Sequence, residues 1–443
     1  MRRIQLSDHF GYAKLLRFTC PSIAMMLFSS IYGMVDGFFV SNYVGATQFA
    51  ALNLIWPYTM VLGAVGLMIG AGGTALVSKT LGEGKKDQAN SYFSMMIFSA
   101  LVIGVILDIV GLALMRPVAR MLGASGALLE YAVIYGNIIM AAMPTFMLQV
   151  AFQPFMVTAE KAGLGFWITV ASGLTNMIFD WILIGVLGGG IEAAAAATVL
   201  SQIVGFVLPL VYFLRPNDSL LHLGRPSREV RAFLKACSNG MSEFVTNLSY
   251  SLVGMLYNFI LLRLAGEYGV NAYGVISYVS YLFLSVFLGY SMGVAPVVGY
   301  HFGARNCAEL KNLRYKSILL LSLAALAAGG VGMLFSDSIA GLFSSGDEDF
   351  RHMAGRAFRI YALSYFLAHF NIFASSFFTA LNNGKVSAVI SFSRTFVFQI
   401  GALLILTSLL GTDGVWLAMP FAELLCCLLS VVLYSRYRPR YGY

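Results

Sequence analysis

Five carboxylates stand inside long apolar stretches of this chain: Asp36, Asp108, Asp180, Glu243 and Glu423. Ionisable groups in apolar surroundings are costly, and where they persist they usually mark function. Spacing alone brings two of them together. Asp180 lies nine residues before Gly189, the middle of a Gly188-Gly189-Gly190 turn, and Thr198 lies nine residues after it. On two helices joined at that turn, each rising about 1.5 Å per residue, they reach the same depth. Asn176 is one turn before Asp180, on the same helix face. Asp36 precedes another turn glycine, Gly45, by nine residues as well. Asp36, Asn176, Asp180 and Thr198 therefore share one layer. Four oxygen-bearing side chains, two of them carboxylates, suit a hard cation. The same pair could instead hold a proton, because burial beside a like charge disfavours ionising both acids. Local capping of each Asp by hydroxyls and amides is the blander alternative, and it gives two buried acids with no basic neighbour no structural advantage. Glu243 reads either as a second protonatable site or as an interfacial carboxylate. Asp108 and Glu423 read as partners of neighbouring polar groups, with Arg394 as the counter-charge to one of them, and His369 as a satisfied histidine.

The elements that hold these groups must cross a membrane. Of 443 residues, 59% are hydrophobic and 11% charged, against about 25% charged in a soluble domain. Residues 37–78, 131–159, 193–214 and 268–300 contain no Asp, Glu, Lys or Arg, and a span needs roughly 20 apolar residues. No ten-residue alternating pattern of a barrel is present, so the spans are helices, whose backbone groups are paired internally. The expected spans are 15–40, 49–78, 92–115, 131–158, 163–187, 191–214, 232–263, 272–300, 316–335, 358–380, 385–410 and 414–434. The apolar stretch after Arg17 is too long for a cleavable signal. Cys20, Cys237, Cys307, Cys426 and Cys427 form no C-x-x-C and read as apolar fillers. A pI near 9.2 reflects basic loops on one side, with no nucleic acid implied.

Twenty-two of the 28 Lys and Arg fall in one set of connections or at the ends, from Arg2 and Arg3 to Arg440, with Arg394 counted among them. The positive-inside rule then puts both termini in the cytoplasm. The chain also repeats at an offset of 221 residues: Gly45 meets Gly266, Gly82 meets Gly303, and Gly163 meets Gly384. Two parallel six-helix halves are expected, as in parallel-repeat transporters: residues 1–214, a basic linker at 215–235, and 236–443. Pro21, Pro57, Pro154, Pro209 and Pro296 are candidate kinks, and Gly66-x-x-x-Gly70 and Gly289-x-x-x-Gly293 allow close helix packing.

Four stretches resemble the MATE (multidrug and toxic compound extrusion) family: P-S-I-A-M-M-L-F-S-S-I-Y-G-M-V-D-G-F-F-V from Pro21, G-A-G-G-T-A-L-V-S-K-T-L-G-E-G-K from Gly70, N-M-I-F-D-W-I-L-I-G from Asn176 with A-A-A-A-A-T from Ala193, and Gly411–Glu423. The resemblance implies an all-α membrane fold of twelve helices in two lobes around a V-shaped cavity, with antiport of Na⁺ or H⁺ against organic cations. In the branch similar to the DNA-damage-inducible F proteins, the coupling positions fall on Asp36, Asn176, Asp180 and Thr198, which would also hold the metal if Na⁺ is the ion. The bending proline falls on Pro21. Tyr32, Gln149 and Gln153 would line the cavity, with glutamines where asparagines are expected. The other large branch uses an acid in the tenth helix, and this chain has none between Ile360 and Leu381. The expectation is a monomeric, multi-pass plasma-membrane (inner-membrane) exporter of small organic cations, without enzymatic activity and with no cofactor beyond the coupling ion. A lipid-linked sugar flippase would instead need basic residues along the cavity. An intramembrane enzyme would need an H-E-x-x-H or G-x-S-x-G motif, which is absent.

Overall fold

The computed structural model describes residues 4–343 and 347–443; Arg2 and Arg3 lie outside them. All regular structure among these residues is helical. Helix α1 (Tyr12–Phe39) runs into a π-turn, Val40–Val44; α2 is Ala46–Gly82 and α3 Lys86–Met121. Helix α4 comprises Gly126–Ala141 and Met143–Thr158, bent by 55°, where Pro144 cannot donate to the turn before it. Helix α5 (Ala162–Phe179) continues into a π-turn, Asp180–Val186, and α6 is Ile191–Leu214. The next helix, Val230–Gly303, is 74 residues long with non-helical dihedrals at Gly266. At about 1.5 Å per residue it is far too long for one crossing, so it is two spans, α7 (230–265) and α8 (267–303). Then come α9 (Cys307–Leu334), a short helix Ser336–Gly341, α10 (Glu348–Tyr361 with Tyr365–Ala380), α11 (Gly384–Phe392, a π-turn Ser393–Phe398 and Gln399–Leu410) and α12 (Thr412–Tyr441).

Nine helices of the described residues are long and apolar enough to cross a membrane, and the bent α4 adds a tenth. Dividing the 74-residue helix makes eleven. The twelfth is α10, whose first turns carry Glu348, Asp349 and Arg351. Observed helices outrun the expected spans by up to ten residues, on both sides of the apolar layer. Hydropathy stops at the first charges, whereas the helices go on beyond the apolar layer.

The 221-residue repeat is present in the backbone. Gly45 and Gly266 both take positive φ, 109° and 61°, and so do Gly84 (80°) and Arg305 (56°). The halves meet where α1 and α2 lie against α7 and α8, and this seam is made of backbone. A Cβ on Gly82 would overlap the Tyr300 carbonyl oxygen, and one on Gly303 would overlap that of Lys79. Gly72 lies likewise against Ala236, Gly240 against Met68, and Gly289 against Ser22 and Ile23. All these contacts fall in the half of the bundle nearer the basic side. Toward the opposite side the halves part, and Tyr278 and Tyr281 of α8 are 51% and 49% exposed.

Two extended segments brace the basic side. Residues 4–11 bury Leu6 and Phe10 completely. The Leu6 amide donates to Glu160 Oε1 at 2.7 Å, and the Phe10 amide to Glu309 Oε1 at 3.0 Å. The segment from Arg215 to Glu229 lies along α3, with the His222 amide on Asn90 Oδ1 (2.9 Å) and the Tyr92 hydroxyl on Glu229 Oε2 (2.7 Å).

Candidate functional site

Both helices that carry the aspartates leave α geometry beside them. Asp180 opens the π-turn of α5, and Asp36 lies one turn before the π-turn that ends α1. A π-turn fits an extra residue into the helix and is frequent at functional sites. Here it follows from nothing visible in residue type, so only coordinates reveal it.

Asp180 is fully buried and Asn176 nearly so. Asn176 Nδ2 donates to Asp36 Oδ1 at 3.4 Å, and the Asp36 and Asp180 carboxyls lie within hydrogen-bonding reach of each other. Both Asp180 oxygens and Asn176 Oδ1 are buried with no donor. One of these four oxygens accepts from the Asn176 amide, and the other three have no donor. No Lys or Arg occurs between residues 18 and 78 or between 162 and 214. Leaving a buried polar atom unpaired costs about 1–3 kcal/mol, more if it is charged, so this cluster calls for a positive species among its oxygens. An all-oxygen set suits Na⁺ or a proton and lacks the His or Cys that a transition metal favours; no cluster of three or more His, Cys, Asp or Glu with metal-holding geometry exists among the described residues. Thr198 is half-buried, and its hydroxyl donates to the Ala194 carbonyl at 3.1 Å. Its lone pairs remain for a ligand, but it makes no hydrogen bond to the other three.

The second half treats its charges in the opposite way. Arg394, counted with the basic connections and also expected as the counter-charge to Asp108 or Glu423, stands in the buried π-turn of α11. It meets Glu423 of α12 with Nε and Nη2 at 2.8 and 2.7 Å from Oε1. Asn371 of α10 donates to Glu423 Oε2 at 2.7 Å, and the Ser430 hydroxyl to Asn371 Oδ1 at 3.2 Å. That carboxylate is neutralised and fully satisfied. Glu243, on α7, is partly accessible and faces the charge of Arg394. His369 Nε2 is 3.0 Å from the Ser322 hydroxyl. Asp108 departs from expectation: its Oδ1 is buried without a partner, on a helix whose other face is apolar and exposed.

Of the expected cavity residues, Tyr32 lies against Phe28, with ring centroids 6.1 Å apart, and within electrostatic reach of Asp36. Gln149 is turned into the core, where its amide donates to the Ser172 hydroxyl at 3.0 Å and packs on Gly205. With Gln153 it lines a pocket of about 10 Å³, the room of a single water, not of a cargo molecule. The resemblance names Gln149 as a cavity residue, but the rotation of α4 beyond its bend was not legible in the sequence. Helix α1 is α-helical straight through Pro21. Asn371 and Ser430 escaped sequence reasoning, because single polar residues in a span carry no signal without a partner.

The family model described as MatE matches residues 21–182 and 244–404, one stretch in each half. Among curated relatives, the multidrug export protein MepA of Staphylococcus haemolyticus (strain JCSC1435) is 26% identical over 428 residues, covering 96% of this chain and 93% of the relative. A solved structure described as the outward-facing conformation of a multidrug resistance MATE family transporter of the MOP superfamily superposes with a TM-score of 0.93 at 23% identity, over 100% of this chain and 99% of that one. A MOP superfamily transporter from Pyrococcus furiosus Vc1 (DSM3638), whose description says that reverse polarity of the binding pocket suggests a different function, has a TM-score of 0.90 at 23% identity, over 99% and 98%. With most of its length matched, and matched once in each of two halves built alike, this chain belongs to the MatE family.

Proposed function

We propose that this chain is a multidrug exporter: a secondary antiporter that moves organic cations out of the cell in exchange for Na⁺ or H⁺. Its two lobes are residues 1–214 and 236–443, and it works as a monomer. The basic side faces the cytoplasm, by the positive-inside rule. The conformation described above is then open to the outside and sealed within. Relatives described as multidrug export proteins support the export reading.

The observation that carries the coupling assignment is the contrast between the halves. Glu423 has its counter-ion within 2.8 Å, whereas Asp180 has two buried oxygens and no donor. A carboxyl pair that is short of positive charge can take it from either traffic stream, an entering ion or a departing cation, but not from both at once. When an ion enters from outside and neutralises the pair, the cargo loses its electrostatic partner and leaves. Inward passage of each positive charge is driven by about 2.3 kcal/mol per 100 mV of membrane potential. Pro21 removes one backbone bond in α1 and offers the place where that helix bends as the pair changes charge. A flippase reading has less support, since Arg394 is already occupied by Glu423. Proteoliposomes carrying an imposed Na⁺ or H⁺ gradient, with uptake of a fluorescent organic cation as readout, test the proposal; no uptake under either gradient would overturn it.

A further inference from the structure

We infer that Tyr281 of α8 is the second lobe's contact to the cargo: a flat aromatic cation lies between the rings of Tyr32 and Tyr281 with its charge beside Asp36. This rests on the export reading above and deepens it.

Exposure gives the first argument. Tyr250, Tyr278 and Tyr281 are 41%, 51% and 49% exposed. Helix α3 shows what the lipid-facing surface of this chain looks like, with Phe98, Ile106, Ile109 and Val110 exposed and no hydroxyl among them. A phenol hydroxyl turned to hydrocarbon would lose its hydrogen bonds, so tyrosines exposed at mid-helix face water inside the protein. Position gives the second. The Tyr278 hydroxyl is 3.7 Å from where a Cβ on Gly37 would stand, so α8 reaches across to the residue next to Asp36. Tyr32 lies within electrostatic reach of both Tyr281 and Asp36. Two rings from different lobes and one unneutralised carboxylate therefore converge.

The arrangement is also held in place. Ser280, the neighbour of Tyr281, bonds the buried Tyr365 hydroxyl at 2.6 Å. Behind it Tyr257 and Tyr273 stack at 4.7 Å, with planes 9° apart. Tyr32 is pressed against Gly173 of α5, where a Cβ would come within 2.8 Å of the ring. Rigid ring faces next to an acid are what attract a delocalised cation. Because the rings belong to different lobes, any rocking of the lobes changes their separation, so cargo affinity follows conformation.

The test is ethidium binding to the purified full-length protein, read by fluorescence titration. Tyr281→Leu should weaken binding by about fivefold or more, the worth of one well-placed ring face. Tyr281→Phe should rescue most of that loss, and Tyr281→Trp should bind at least as tightly as the native protein. Equal binding by Tyr281→Leu and the native protein would overturn the inference while leaving the export reading intact. Failure of Tyr281→Phe to rescue would overturn it too, since the hydroxyl and not the ring would then matter. Should the leucine variant not fold, a Tyr281→Trp variant that binds more weakly than the native protein would count against the ring clamp on its own. Absence of ethidium binding to the native protein would instead sink the export reading on which the inference stands.

Discussion

A single methyl group at Gly82 should hold the transporter open to the cytoplasm. In the structure a Cβ there would overlap the Tyr300 carbonyl oxygen and lie 2.8 Å from its carbon and 3.0 Å from the Ala304 nitrogen. Every one of these atoms is backbone, so no side chain can swing aside. The optimum separation of such atoms is about 3.5–4.0 Å, so the α2–α8 crossing must open by about 1 Å. Overpacking of this kind costs about 1–3 kcal/mol, and the cost falls only on the conformation in which the seam is closed. At about 1.4 kcal/mol per factor of ten, Gly82→Ala should move the balance of conformations roughly tenfold to a hundredfold away from the outward-open one. Ser78 lies in this seam, fully buried beside Gly299. In a background without other cysteines, Ser78→Cys should react with a thiol reagent faster by a similar factor once Gly82→Ala is added. Gly303→Ala should act alike, since its Cβ would overlap the Lys79 carbonyl oxygen, and the two together should be less than additive because they open one crossing. Gly163→Ala, with nothing within 4 Å, is the control and should change nothing. Unchanged Ser78→Cys reactivity in a folded Gly82→Ala protein would refute the view that this seam closes the cytoplasmic side.

Two further outcomes are expected. Arg394→Met should lower thermal stability by about 3–5 kcal/mol, because it strands Glu423 as an uncompensated buried charge; Arg394→Met with Glu423→Leu should recover much of the loss in a thermal melt, and equal melts for the single and double variants would argue that the ion pair is not shielding a charge. For orientation, a cysteine at position 348 should react with an impermeant reagent in intact cells, while cysteines at 85 and 225 should not; labelling at 225 would reverse the topology.

The fold was legible wherever one physical constraint decides it. Lipid demands long apolar helices, and a tandem repeat demands matched turns, so the spans and the Gly45–Gly266 correspondence could be read directly. Helix ends were not legible, because α3 and α9 run on into charged residues that hydropathy takes for loop. The aspartate cluster was found by depth alone, which brought Asp36 and Asn176 within 3.4 Å. Depth says nothing of rotation about the helix axis. That is why Thr198, at the expected depth, bonds its own helix instead of the cluster, and why Gln149, expected in the cavity from the resemblance, points into the core. Arg394 was legible as a counter-charge to Asp108 or Glu423, but only the packing of α11 against α12 chooses Glu423, 29 positions away. The cavity tyrosines of α7 and α8 were hidden by abundance: among 23 tyrosines, only the positions of the helices single out Tyr250, Tyr278 and Tyr281, exposed at mid-helix.

The central claim is that the uncompensated pair Asp36–Asp180 couples the ion to the cargo, and one measurement addresses it directly. Proteoliposomes of the native protein, Asp180→Asn and Glu243→Gln are given a Na⁺ or H⁺ gradient, and movement of a fluorescent organic cation is followed. Native protein should transport under at least one gradient. Asp180→Asn should lose gradient-driven transport, because an amide cannot alternate between charged and neutral forms. Asp36→Asn should do the same, and the double variant should be no worse than either single one, since the pair acts as a unit. Glu243→Gln should retain coupling. Full ion-driven transport by Asp180→Asn, together with its loss in Glu243→Gln, would place the coupling site in the other lobe and contradict the account.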